Sequence, residues 1–175
     1  MVEKKEDQLR LPPHSLEAEQ AVLGCMLIDV EAVPKAMNHL TENSFYKPAH
    51  AIIYNHMMKL FENNNTIDNI SVLEELKKSS QLDAVGGAYY ITGLSSEAPS
   101  AANVEYYARI IKDKATLRTI ISAAIEMSTS AYEGGDEPTE ILDNAEQVLF
   151  KLSEHADRGS YTSVEPLFHD VLDNW

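Results

Sequence analysis

The strongest constraint in this chain is a long helical pattern followed by a shorter one. From Asn103 to Tyr132, apolar residues recur three and four apart at Val104, Tyr107, Ile110/Ile111, Leu117, Ile121 and Ala124/Ile125. At 3.6 residues per turn this makes about eight turns. Glu133-Gly134-Gly135 stops the pattern, and Asp136 with Pro138 restarts a helix. The second arm carries Ile141/Leu142, Ala145, Val148/Leu149 and Leu152. Two long helices joined by a short glycine-rich turn predict an antiparallel hairpin over residues 99–157. The arms complement each other: residues 101–125 hold four bases and two acids, residues 136–156 six acids and one base. That attraction is weak. The apolar seam constrains more. A two-helix hairpin covers it only in part, so the arms must dock on the rest of the chain or on a second copy, giving a four-helix bundle. The candidate residues for the seam and self-contact are Ile110, Leu117, Ile121, Ile125, Leu142, Val148, Leu149 and Leu152.

Shorter patterns upstream predict a globular helical head over residues 11–98. Residues 1–10 are charged and are expected to be disordered. Pro12-Pro13 gives an extended start, and Ser15 is suited to cap a helix. Leu16, Val22, Leu23, Met26 and Leu27 form one apolar face of that helix. Gly24-Cys25 places two small residues mid-helix, which permits close approach by another element. Glu17 and Glu19 sit where the helix dipole favours acid. A short helix from Glu31 to Leu40 tolerates Pro34 in its first turn. Lys47 to Asn63 is a clearer helix, with Ile52/Ile53, His56/Met57 and Leu60/Phe61 in one stripe. Ser71 is placed to cap Val72–Lys78, and Gly86-Gly87 leads into Ala88–Leu94. Ser95 to Asn103 reads as a linker.

The last segment, 158–175, contains SVEPLFHDVLDNW. Val164, Leu167, Phe168, Val171, Leu172 and Trp175 form a single stripe. A helix this short is unstable alone in water, so its apolar face is expected to lie on a neighbour. It reads as a short amphipathic linker helix, followed by residues that lie beyond this chain. The predicted fold class is therefore all-α: a head, a long hairpin and a linker helix.

Several functions are disfavoured. The net charge is −14, with −8 of it in residues 136–175, so binding nucleic acid by phosphate neutralisation lacks a cationic excess. No Gly is followed by Lys, so no P-loop occurs. The six histidines, His14, His39, His50, His56, His155 and His169, show no metal-binding spacing. His56 fits a core position. Cys25, the single cysteine, sits among Leu23, Met26 and Leu27 and reads as a buried thiol. Neither a signal peptide nor a membrane-spanning run is evident, so a cytoplasmic place is expected. Two rivals remain. One is a helical single-stranded-DNA-binding module using Arg109, Lys112, Lys114 and Arg118 with Tyr106-Tyr107. The other is a small helical enzyme with a carboxylate–histidine metal site.

Four stretches carry a resemblance. PPHSLEAEQAVLG, from Pro12 to Gly24, closely resembles the opening of the DnaB-like family of bacterial replicative DNA helicases. FYKPAHAIIYNHMMKLFENN from Phe45, LDAVGGAYYITGL from Leu82 and NVEYYARIIKDKATLR from Asn103 resemble later family patterns. Cys25 departs from the small residue common there. The resemblance covers Leu11 to about Leu152, and residues 158–175 fit the family's linker helix. It implies an N-terminal domain whose hairpins pair between subunits, forming a collar as a trimer of dimers on a hexameric ring. It implies primase and a helicase loader as partners. The linker helix would contact the motor domain of an adjacent subunit. The motor, with ATP, magnesium and most DNA contacts, is absent from this chain, so no cofactor and no catalytic residue are expected within it.

Overall fold

The computed structural model describes residues 11–135 and 137–157; the side chains of Leu149 and of residues 151–157 are outside that description. The predicted tail 1–10 and the linker segment 158–175, with Val164, Leu167, Phe168, Val171, Leu172 and Trp175, lie outside the described residues. Among those described there is no strand. Seven α-helices occur: α1 (Leu16–Ile28), α2 (Ala32–Met37), α3 (Pro48–Glu62), α4 (Asn69–Lys78), α5 (Gly87–Ser96), α6 (Val104–Glu133) and α7 (Pro138–Asp157). Short 3-10 turns occupy Glu42–Ser44 and Ala101–Asn103. The predicted all-α class holds, with α6 and α7 as the long hairpin.

The chain divides into two units, Met1–Arg118 and Thr119–Trp175. In the first, α1 is the central element and lies against α2, α3 and α5. Ser15 caps it as expected, its hydroxyl accepting from the Ala18 amide at 3.3 Å. The expectation of a single apolar face is corrected: Val22 through Leu27 are all buried. A helix buried on every side needs apolar or small residues all round, which VLGCML supplies. The Cys25 thiol is buried and points to the Pro99 carbonyl at 3.6 Å.

Gly24 is where α1 and α5 meet. A Cβ there would collide with the Leu94 carbonyl oxygen and sit 2.8 Å from the Ala98 Cβ. The close approach predicted for this small residue is thus made by the backbone of α5. α4 starts one turn earlier than expected. Asp68 is its cap and accepts from the Ser71 amide at 2.8 Å, while the Ser71 hydroxyl accepts from the Asp68 amide at 3.0 Å. Ser71 is the third helical residue of a capping box rather than the cap itself.

The head extends beyond residue 98. Val104, Ala108 and Ile111 on α6 join its core, and Tyr107 and Ile110 pack against it half-buried. The boundary between units accordingly falls inside α6. In the second unit α6 ends at Gly134, whose φ of +61° ends the helical path. Pro138 opens α7, where a missing amide hydrogen is harmless.

Candidate interaction surfaces

Two regions stand apart from the packed core: the apolar surface of the hairpin, and a polar network inside the head. Leu117, Ile121 and Ile125 on α6 are 44 %, 43 % and 61 % exposed, and Leu142 on α7 is 59 % exposed. Ile120 and Phe150, which the sequence reading did not single out, are exposed as well. Large apolar side chains held at three- and four-residue spacing on one helix form a stripe. The spacing of Leu117, Ile120, Ile121 and Ile125 meets that condition. Val148 is half-buried. Ile110 differs from the rest, because it packs on the head core and not on the hairpin stripe. Leu149 and Leu152 lie outside the described side chains. Among the described residues of the second unit, Ala123 is the one apolar side chain that is buried.

Inside the head, Glu19 occupies a position that the sequence reading assigned to the helix dipole alone. It is 1 % exposed. Its carboxylate accepts from the amides of Tyr46 at 2.7 Å and Lys47 at 3.3 Å, just before α3. Its Oε2 lies 2.6 Å from His50 Nδ1, and His50 Nε2 lies 2.6 Å from the Tyr90 hydroxyl. The Tyr90 oxygen also accepts from Lys47 Nζ at 2.9 Å and Gln20 Nε2 at 3.3 Å. The hydrogen-bond accounting closes for a neutral imidazole. Nδ1–H donates to Glu19, Tyr90 O–H donates to Nε2, and the two phenol lone pairs accept from Lys47 and Gln20. Burial pushes the Glu19 pKa up, but the bonds from His50 and the two amides outweigh it, so the group stays lowered. The network ties α1, α3 and α5 together through charge-assisted bonds.

A carboxylate–imidazole–hydroxyl chain has the composition of a catalytic triad. Here the terminal group is a phenol that already accepts from two donors, which leaves it fully engaged. Its role is to lock three helices. No local motif marks it, since Glu19, His50 and Tyr90 come from three separate helices. The available signal was polar residues at positions of otherwise apolar stripes.

His56 is buried as expected, its Nε2 2.6 Å from Gln81 Oε1. Among the described residues no group of His, Cys, Asp and Glu is placed to hold a metal. No helix of the described residues is long and apolar enough to cross a membrane.

Two of the bases proposed for single-stranded DNA, Arg118 and Arg109, already have partners within the chain. Arg118 donates to the carbonyls of Pro13 at 2.9 Å and Ser44 at 2.7 Å. It also covers the Tyr46 ring, whose other contact is a stacked His14 at 4.2 Å. Arg109 faces Glu105 at 3.7 Å. Tyr106 is exposed and meets Tyr107 edge-on rather than presenting a stacking platform.

Comparison with known proteins agrees with this architecture. The model of the DnaB-like helicase N-terminal domain matches residues 11–113. The replicative DNA helicase DnaB of Geobacillus stearothermophilus is 36 % identical over 165 residues, covering 94 % of this chain and 36 % of that protein. That of Rhodothermus marinus is 38 % identical over 164 residues, covering 94 % of this chain and 17 % of its own length. The chain thus spans about a third or less of these relatives. Among solved structures, the N-terminal domain of DnaB helicase from Mycobacterium tuberculosis superposes with a TM-score of 0.74 at 34 % identity, covering 81 % of this chain and 99 % of that one. A DnaB-like replicative helicase, described with its interactions with primase, shares the fold at a TM-score of 0.66 and 20 % identity, covering 90 % of this chain and 34 % of that one. A capped and buried first helix, an all-helical head and a long hairpin, matched by family model and by structure, make this chain a member of the family of DnaB-like helicase N-terminal domains.

Proposed function

We propose that this chain is the self-association and partner-docking domain of a replicative DNA helicase. In this reading hairpins pair between copies, the pairs assemble into a collar as a trimer of dimers, and the collar holds six motors in register. Primase docks on it, a loader acts on the assembled ring, and the whole works in the cytoplasm. ATP hydrolysis, magnesium binding and most DNA contact belong to a motor domain outside this chain. The observation that carries the reading is the apolar stripe of Leu117, Ile121 and Ile125 along α6, exposed although the head has a filled core; Leu142 on α7 is exposed as well. An apolar surface of this kind marks a protein interface. The primase interaction described for the DnaB-like structural neighbour supports the choice of partner.

Absolute mass by light scattering across a concentration series tests the self-association. A dimer or a multiple of it is expected, growing with concentration by mass action. A monomer at the highest concentration would overturn the pairing. The linker assignment is tested separately. Alanine at Leu167 and Phe168 in the full-length helicase is expected to weaken the hexamer, and an intact hexamer would remove that assignment.

A further inference from the structure

Next to Tyr90, α1 and α5 leave a groove of about 450 Å³. Glu17 and Ala21 come from α1; Tyr89, Gly93, Leu94 and Glu97 come from α5 and its end. Gly93 is the residue that needs explaining. It lies inside α5, where glycine is the least favourable choice except proline. Its φ is not left-handed, and a Cβ built on it meets nothing within 4 Å. Gly24 on the opposite helix is required by the backbone it touches; no such contact accounts for Gly93. What its missing side chain leaves is open space on the groove floor, beside the small Ala21 and the apolar Leu94.

The rim differs from the floor. Glu17 stands on the α1 side and Glu97 at the end of α5, and they are the charged residues of the lining. Tyr89 is 91 % exposed, an unusual position for a ring with nothing to cover it. Lys47 engages the neighbouring Tyr90 instead, with its ammonium 4.2 Å from that ring.

We propose that this groove binds an arginine or lysine side chain presented by a basic segment of a partner protein. A flexible methylene stem would cover Ala21 and Gly93, while its cationic head would lie between the Glu17 carboxylate and the Tyr89 ring; a second basic residue of the same segment would reach Glu97 further along the groove. Glu17 and Glu97, as the charged residues of the groove lining, draw such a segment toward it. The proposal stands on the head alone and does not depend on pairing through the hairpin.

The test titrates two capped six-residue peptides into the full chain, followed by backbone amide resonances. One carries two arginines flanked by leucines; the other has neutral citrulline in place of each arginine. The arginine peptide is expected to move the amides of Tyr89 and Gly93, and to bind less well as salt rises. The citrulline peptide is expected to bind at least roughly fivefold more weakly, as is the arginine peptide to the Glu17→Gln/Glu97→Gln variant. Gly93→Leu should fill the groove and remove binding with a thermal midpoint no lower than that of the native chain, since its Cβ meets no neighbour and leucine favours the helix over glycine. Equal binding of both peptides would overturn the proposal. So would shifts confined to other parts of the chain, undiminished binding to a folded Gly93→Leu variant, or no binding of the arginine peptide at millimolar concentration.

Discussion

Glu19 could have stayed in solvent at the first turn of α1, where the helix dipole alone would favour it. Its burial against His50 and two amides makes it a different kind of residue. Glu19→Gln keeps the shape but turns an N–H group toward at least one of three donors. Leaving a buried donor without its acceptor in this way costs about 2 kcal/mol, read as a lower urea midpoint. The pH dependence follows from the lowered pKa. A carboxyl group lowered on folding contributes stability above its unfolded value, near 4.5, and loses it as pH falls through the folded value. Urea midpoints between pH 7 and 3 should therefore fall more steeply for the native chain than for Glu19→Gln below about pH 4.5. Parallel curves would show that Glu19 does not drive the acid loss. At this scale the sequence was only half legible. Ser15 as a cap and Cys25 as a buried thiol depend on near neighbours and could be read. Glu19, His50 and Tyr90 lie far apart in sequence and meet only when α1, α3 and α5 pack.

At the scale of elements, two substitutions separate local from tertiary causes. Helix propensity alone predicts that Gly24→Ala stabilises α1 by up to about 1 kcal/mol. The Leu94 carbonyl lies where that methyl group would go, so the sign reverses. A destabilisation of about 3 kcal/mol is expected, seen as a lower urea midpoint at constant m-value. A gain in stability would mean that α5 yields easily. Asp68→Ala removes one half of the α4 capping box and should cost about 1 kcal/mol, with the loss in amide exchange protection centred on the first turn of α4. Most helices could be read from spacing and caps, because those signals are local. The start of α4 was missed because Ser71 resembles a cap when its partner Asp68 is not considered. The all-round burial of Val22–Leu27 in α1 was missed because amphipathic spacing and all-round burial share the same apolar positions, and only the packing of α2, α3 and α5 distinguishes them.

The scale of the whole molecule is where apolar surface and assembly connect. The hairpin pattern was legible, since thirty residues of α6 in helical register admit little else. The place where the head ends was not, because Val104, Ala108 and Ile111 share α6 with the stripe, and periodicity does not say which partner covers which residue. Exposed Leu117, Ile121 and Ile125 now make self-association a thermodynamic expectation, and linkage gives its signature. If folding and pairing are coupled, each tenfold rise in concentration adds about 1.4 kcal/mol to the folded dimer. Shared between two chains of this size, that raises the thermal midpoint by roughly 1–3 °C. Ile121→Glu with Ile125→Glu places two carboxylates on the stripe, where burial would leave them unpaired. The double variant should lose the concentration dependence and run as a monomer, while Glu19, His50 and the head core keep their amide protection. A native midpoint that stays constant over a hundredfold concentration range would detach the stripe from self-association. An unfolded head in the variant would mean that Ile121 and Ile125 belong to the chain's own core.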